Sequence, residues 1–209
     1  MLKKKLLLFT YIFLWSMWSF GQNNMEGWQK LFNGKDLTGW KKLQGTATYT
    51  VEEGVMVGTT VENSPNTFLV TEKEYGDFIL ELEVMIEDTF NNSGIQTRSH
   101  FGDPDQKANR KVFGRQLEID PSSRKWTGGI YDEGRRQWLY HLILNTKAQD
   151  AFNIGQYKHF RIECIGNEMK TWVNEVATAY VADTIDNTGF IGLQVHQSVN
   201  RSMRESGYI

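Results

Sequence analysis

Apolar and polar residues alternate strictly in several short segments of this chain, and this alternation restricts those segments to extended strands. In residues 78–86, every second position is apolar, from Phe78 and Leu80 to Ile86. Residues 160–165 set Phe160, Ile162 and Cys164 against two charged neighbours in the same way. Because side chains of a strand point to opposite faces in turn, the pattern predicts antiparallel sheets with one face on a core and the other face polar.

Turn-forming pairs separate these segments at regular intervals. Examples are Asn33-Gly34, Glu53-Gly54, Gly128-Gly129 and Gly166-Asn167. The chain contains three prolines and no proline-rich linker or internal repeat. Short strands spaced by turns favour a single all-β domain, a sandwich of two antiparallel sheets, over residues 22–209.

The first 21 residues have the pattern of an export signal. Lys3, Lys4 and Lys5 precede an apolar run over residues 6–20, and Ser19 and Gly21 supply the small residues of a cleavage site. The alternative is a membrane anchor, but the run is shorter than the roughly 20 residues that span a bilayer. We therefore expect a signal peptide over residues 1–21 and a secreted or periplasmic protein without a stable membrane anchor after cleavage.

Charge and cysteine content exclude some classes of function. Without the expected leader the chain carries 20 of its 23 basic residues and all 25 acidic residues, a net charge of −5. A mildly acidic chain with no basic run after Lys5 is not expected to bind nucleic acid. The single cysteine, Cys164, has no partner for an internal disulfide, and its alternation predicts a small core residue.

Three further segments have polar faces of unusual composition. These faces consist of Gln96 and Arg98 in the first segment, Gln116, Glu118 and Asp120 in the second, and Gln194 and His196 in the third. If the three strands are neighbours, the side chains share one sheet face, where they can bind sugar hydroxyls and transfer protons. The alternative is a solvated sheet face with ordinary cross-strand charge pairs.

Residues 126–140 combine aromatic and charged side chains with two adjacent glycines. The candidate substrate-binding residues of this segment are Tyr131, Asp132, Glu133, Arg136 and Trp138. Tyrosine and tryptophan rings stack on sugar rings while charged groups bind hydroxyls. The segment therefore predicts a carbohydrate-binding loop, and the alternative is a loop that packs aromatic rings over a sheet edge.

No cofactor is required by the sequence, and a divalent metal is an open alternative. The chain has no His-x-x-x-His motif and no paired cysteines. Glu118, Asp120 and His196 are the residues that could hold a hard or borderline cation.

Five segments in order resemble the 3-keto-disaccharide hydrolase family. They are residues 31–40 (LFNGKDLTGW), 92–99 (NSGIQTRS), 114–121 (GRQLEIDP), 129–133 with 138–140 (GIYDE and WLY) and 189–196 (GFIGLQVH). The resemblance implies a concanavalin A-like jelly roll with a concave sugar-binding face, export from the cytosol, and a substrate already oxidised at C3 of the sugar. It places the site at Arg98, Glu118, Asp120, Tyr131, Gln194 and His196.

The chain departs from this family in three places. Tyr157-Lys158 stands where the family commonly has Trp-Asn, and Asn174-Glu175 stands where it has Asn-Gly, a favoured hairpin turn. Members usually end with another strand after the histidine motif, whereas residues 197–209 are polar and unpatterned. We therefore expect that last strand to be missing.

The resemblance implies cleavage by elimination at a 3-keto sugar. Glu118 or His196 would take the C2 proton, Arg98 would stabilise the oxygen of the enediolate, and Asp120 would orient or assist. Tyr131 would donate a proton or stack on the sugar. The alternatives are a carbohydrate-binding module without catalysis and a secreted interaction protein whose acidic residues only keep it in solution.

Overall fold

A computed structural model describes residues 27–87 and 92–198 of this chain. The expected signal peptide, residues 1–21, lies outside the described residues, and so do residues 199–209, on which the prediction of a missing last strand depends. The chain divides into two units, Met1–Lys30 and Leu31–Ile209, and all strands of the described residues lie in the second unit. No helix within those described ranges is long and apolar enough to cross a membrane.

The described residues form thirteen β-strands and two short 3₁₀ helices, Leu142–Leu144 and Thr146–Ala148. The strands in chain order are β1 (Trp40–Gln44), β2 (Thr48–Glu52), β3 (Val55–Thr59), β4 (Thr67–Thr71), β5 (Phe78–Val84), β6 (Ser93–Gly102), β7 (Lys111–Ile119), β8 (Ile130–Glu133), β9 (Gln137–Tyr140), β10 (Lys158–Ile165), β11 (Glu168–Val173), β12 (Val176–Ala182) and β13 (Phe190–Val195).

Two antiparallel sheets and one hairpin account for these strands. The larger sheet has seven strands in the order β1-β4-β13-β6-β7-β8-β9, and the smaller has four in the order β12-β11-β10-β5. Strands β2 and β3 form the separate hairpin. The predicted all-β architecture of antiparallel sheets is therefore confirmed.

The core lies between the two sheets and is built from the apolar positions of the alternating segments. The smaller sheet contributes Leu80, Phe160 and Ile162, and the larger sheet contributes Leu117 and Ile130, each at most 8% exposed. Burial of each such side chain stabilises the fold by about 1.5–3 kcal/mol. The strand faces predicted from the period-two pattern at residues 78–86 and 160–165 are confirmed.

Cys164 belongs to the same core, as predicted. Its side chain is fully buried, and the thiol is free. Burial raises the pKa of the thiol, which keeps it protonated and unreactive at neutral pH.

Candidate functional site

A polar hollow of about 330 Å³ lies on the face of the larger sheet that points away from the core. It is lined by Asn66, Asn92, Gln116, Glu118, Arg124, Tyr131, Glu133, Trp138, Gln194, His196 and Gln197. Strands β7, β8, β9 and β13 and the adjoining loops thus bring polar and aromatic side chains to one place. The sequence predicted seven of these residues, four from the period-two pattern and three from the composition of residues 126–140.

Regular alternation in β7, β8 and β13 explains why these side chains meet. Gln116 and Glu118 alternate with core residues of β7, and Gln194 alternates with core residues of β13. Tyr131 pairs directly with Gln116 across the β7–β8 ladder. Because β6 lies between β13 and β7, its Gly94 pairs with both Gln194 and Glu118 and puts no side chain between them.

A chain of amide hydrogen bonds forms the floor of the hollow. Gln96 Nε2 donates to Gln116 Oε1, and Gln116 Nε2 donates to Glu118 Oε2 at 2.6 Å. Longer contacts of 3.5 Å join Gln116 Nε2 to Gln194 Oε1 and Gln194 Nε2 to Glu133 Oε2. The amides therefore connect the two carboxyl groups of the hollow and fix their orientation.

Glu118 is the most deeply buried carboxyl group of the hollow. It is 6% exposed, and its Oε1 accepts a hydrogen bond of 2.7 Å from Asn92 Nδ2. Burial raises the pKa of Glu118 to about 7, with smaller contributions from the charges of Asp120 and Glu133 and against the effect of its two amide donors. At neutral pH the group is therefore divided between its acid and base forms and can exchange a proton.

Glu133 and Tyr131 supply two more titratable groups. Burial is the largest cause that raises the pKa of Glu133, which accepts a hydrogen bond of 3.2 Å from Asn66 Nδ2. Burial also raises the pKa of Tyr131, and the charges of Glu133 and Glu118 add to this effect. The phenol of Tyr131 therefore remains protonated at neutral pH.

Aromatic rings form one wall of the hollow. Trp138 meets Tyr131 edge to face at 5.3 Å between ring centroids and meets Trp126 in the same way at 5.0 Å. Trp126 in turn stacks on His141 at 5.0 Å. Trp126 thus packs against Trp138 of β9, an edge strand of the larger sheet, and Trp138 and Tyr131 line the hollow.

His196 follows β13 directly and lines the hollow as expected. Its Nδ1 lies 3.1 Å from the backbone oxygen of Gln197, which orients the ring.

The predicted position of Arg98 on this face is wrong. A β-bulge between Thr97 and His100 interrupts the alternation of β6, and Arg98 has a φ of 46°. Its guanidinium therefore enters the protein interior, where it is fully buried. There it donates to the backbone oxygens of Gly76 at 2.8 Å, Gly166 at 2.6 Å and Cys164 at 2.9 Å, and to Asp77 Oδ1 at 2.8 Å.

The predicted positions of Asp132 and Arg136 in the hollow are also wrong. Asp132 alternates with Tyr131 and Glu133 in β8, so its fully buried side chain points away from the hollow. Asp132 forms ion pairs with Arg135, at 2.8 Å, and with Arg136. Arg136 also pairs with Asp183, so both side chains belong to an ionic cluster outside the hollow.

Gln96 and Asp120 lie on the predicted face but do not line the hollow. Gln96 is fully buried and lies behind Gln116, to which it donates its hydrogen bond. Asp120 is 2% exposed and pairs with Arg124, which does line the hollow.

No group of three or more His, Cys, Asp or Glu side chains within residues 27–87 and 92–198 is arranged to hold a metal ion. Glu118, Asp120 and His196 therefore do not form the metal site that the alternation of their strands left open as an alternative.

Four lining residues, Asn66, Asn92, Arg124 and Gln197, were missed by the sequence argument. All four lie outside the strands, where no periodicity reports the direction of a side chain. A local signal existed for two of them. Asn92 opens the Asn-Ser-Gly motif, and Arg124 follows Asp120 by four residues.

The chain matches a known family over most of its length. The model of the 3-keto-alpha-glucoside-1,2-lyase-like domain matches residues 27–204. No curated protein matches the chain.

Several solved structures share the fold at low sequence identity. A candidate glycosyl hydrolase from Parabacteroides distasonis is 21% identical with a TM-score of 0.57 and covers 81% of this chain and 88% of its own. The β-glucanase of Bacillus licheniformis is 12% identical with a TM-score of 0.53 and covers 82% and 85%. Carbohydrate-binding module CBM66 of Bacillus subtilis is 15% identical with a TM-score of 0.51 and covers 77% and 89%. The predicted jelly-roll fold is therefore confirmed.

Proposed function

Because this chain belongs to the 3-keto-alpha-glucoside-1,2-lyase-like domain family, a carbohydrate-active family, we propose that it cleaves 3-keto-glycosides in the polar hollow. The observation that carries the proposal is Glu118, a buried carboxyl group with a pKa of about 7 at the floor of a hollow walled by aromatic rings. Such a pKa lies near the value at which a general base works best at neutral pH.

The first step is removal of a proton from carbon. A ketone at C3 makes the hydrogen on C2 acidic, and the Glu118 carboxylate takes that proton. The electron pair of the C2–H bond forms a double bond between C2 and C3, and the carbonyl oxygen becomes negative. His196 lines the same hollow and is the second candidate for the base.

The second step is elimination of the leaving group. The carbonyl at C3 re-forms, a double bond forms between C1 and C2, and the C1–O bond breaks. The departing oxygen takes a proton. The candidate donors are Tyr131, whose phenol is protonated at neutral pH, and Glu133, whose raised pKa favours its protonated form. Water then adds across the C1–C2 double bond, with hydroxyl on C1 and hydrogen on C2.

A carbohydrate-binding module without catalysis is the second candidate. Five amide side chains line the hollow, those of Asn66, Asn92, Gln116, Gln194 and Gln197. Amides donate and accept hydrogen bonds in the plane of sugar hydroxyls and need no proton transfer to do so. A binding module needs no proton transfer, so this function would not explain the raised pKa of Glu118.

The variant Glu118→Gln separates the two functions. Turnover of a 3-keto-disaccharide should fall by about 10²–10⁴-fold, because glutamine cannot accept the C2 proton. Release of the free sugar measures turnover, and the melting temperature reports whether the fold is retained.

Glu83→Gln is the matched control, because Glu83 is an exposed residue of the smaller sheet. It should have wild-type turnover. Full turnover by Glu118→Gln would eliminate Glu118 as the base, and sugar binding by the wild-type protein without any product would establish the binding module instead.

A further inference from the structure

The proposed reaction requires a group that stabilises negative charge on the oxygen at C3, and Arg98 does not reach the hollow. Of the described residues that line the hollow, Arg124 is the single lysine or arginine. The other charged side chains of the lining, Glu118 and Glu133, are carboxyl groups and cannot stabilise an anion once they are ionised.

Asp120 holds the guanidinium of Arg124 in place. Arg124 Nη2 lies 2.9 Å from Asp120 Oδ2, and Asp120 is 2% exposed. Asp120 Oδ1 accepts a hydrogen bond of 3.1 Å from the backbone of Ser122, whereas Oδ2 has no hydrogen-bond partner among the described residues and meets Arg124 as an ion pair. A buried carboxylate oxygen with one available cation keeps that cation close, because an unpaired buried charge is costly.

Packing and backbone contacts further restrict Arg124. Its guanidinium carbon lies 4.8 Å from the ring centroid of Trp126, in the geometry of a cation–π contact. Its backbone nitrogen donates to Ser122 Oγ at 3.3 Å, and its backbone oxygen accepts from Gln149 Nε2 at 3.3 Å. The backbone contacts hold this residue of the loop, while the ion pair and the cation–π contact restrict the guanidinium before substrate arrives, which is what makes a donor effective in a transition state.

The position of Arg124 also leaves donors available. Arginine has five N–H groups in a planar fork, and the contact to Asp120 is made through Nη2. The side chain of Arg124 is 51% exposed, so a bound sugar can reach the remaining N–H groups.

We propose that Arg124 binds the oxygen at C3 of the 3-keto sugar and donates hydrogen bonds to it as negative charge develops. Asp120 is then a positioning residue that acts through Arg124. This inference rests on the proposed function, because it names the electrophilic group of the same site.

The test is steady-state kinetics of Arg124→Gln with a 3-keto-disaccharide. We expect kcat to fall by about 10²–10³-fold, the usual effect of losing one oxyanion donor, while KM changes by less than about 10-fold. Arg124→Lys keeps the charge but loses the planar fork, so it should retain part of the lost kcat. It also serves as the second variant if Arg124→Gln does not fold.

Lys125→Gln is the matched control. Lys125 is the next residue of the same loop, pairs with exposed Asp150 at 2.6 Å and does not line the hollow. It removes one positive charge and should leave kcat unchanged. If Arg124→Gln matches Lys125→Gln, or changes KM and not kcat, the proposed role in the transition state is wrong.

Asp120→Asn tests the positioning role. Alone it should lower kcat by about 10-fold, because a neutral partner holds Arg124 less firmly. Combined with Arg124→Gln it should lower kcat no further, since a residue that acts through Arg124 has no effect without it. Multiplicative effects in the double variant would overturn the positioning role of Asp120.

The wild-type protein distinguishes this inference from the proposed function. Wild-type turnover with an unaffected Arg124→Gln variant refutes only the role of Arg124. A wild-type protein that releases no sugar from any 3-keto-glycoside refutes both.

Discussion

Among single residues, Glu118 and Arg98 are both ionisable and both buried, but they have different roles. Glu118 faces the hollow, and burial raises its pKa towards neutrality. Arg98 faces the interior and connects the larger sheet to backbone oxygens at Cys164 and Gly166 of the smaller one and its adjoining turn. Burial therefore shifts the pKa of the Glu118 carboxyl group into the range for proton transfer. The buried guanidinium of Arg98 instead holds the two sheets together through its hydrogen bonds.

Replacement of Arg98 by methionine should therefore destabilise the protein rather than inactivate its site. Three backbone oxygens lose a charged donor, and the free energy of unfolding should fall by about 3 kcal/mol or more. Urea unfolding measures this loss, and kcat per folded molecule should stay within about 3-fold of wild type.

Arg110→Met is the corresponding control, because Arg110 is exposed and contacts Phe101 at the surface. It should cost less than about 1 kcal/mol. A stable but inactive Arg98→Met variant would show that Arg98 serves the reaction after all.

Among the elements, strand β6 lies between β7 and β13, the strands that carry Gln116 and Gln194 of the site. An added Cβ at Gly94 would lie 2.1 Å from Gln116 Cδ, so the side chain of Gln116 lies across this glycine. Strand β6 therefore positions Gln116 by having no side chain at one position.

Gly94→Ala should displace the Gln116 amide and break its contacts with Glu118 and Gln194. We expect kcat/KM to fall by at least about 10-fold, because the donor that orients the base is lost. Gly102→Ala lies in the same strand, where the nearest atom to the added Cβ is 3.4 Å away, and should be close to wild type. Equal activities of the two variants would show that the amide chain does not orient the base.

The same elements show where sequence periodicity succeeded and where it failed. Strands β7 and β13 are regular across the site, so alternation placed Gln116, Glu118 and Gln194 correctly. In β6 the bulge turned the side chain of Arg98 to the other face of the sheet. No residue type in this segment predicts a bulge from the sequence. In β8 the segment was interpreted as a loop, although its own alternation separates Tyr131 and Glu133 from Asp132.

For the whole molecule, the titration of Glu118 affects activity and stability in opposite directions. Its pKa is raised from 4.5 to about 7 by folding, so the unfolded chain loses this proton at lower pH than the folded protein does. Stability is therefore lost as the pH rises from about 4.5 to 7. Activity should rise towards the upper end of this range, because the base form of Glu118 becomes populated.

Urea unfolding of the wild type and Glu118→Gln across this pH range tests the coupling. The glutamine variant lacks the titration, so its advantage in the free energy of unfolding should grow by about 3 kcal/mol between pH 4.5 and 7. The kcat/KM of the wild type should show an acid limb near pH 7. Parallel stability curves would show that Glu118 titrates alike in the folded and unfolded states.

The position of β13 in the larger sheet has a consequence for how the protein is made. It is the last strand of the described residues along the chain, yet it lies between β4 and β6. The backbone nitrogen of Ile191 in β13 donates a hydrogen bond to Thr71 Oγ1, 120 residues earlier in the sequence. Until the ribosome has made the residues from β6 to β13, β4 and β6 of the nascent chain each have one edge without a partner strand. Such an edge can pair with any other strand nearby. The arrival of β13 closes both edges and delivers Gln194 and His196 in the same event, so the sheet and its site are completed together.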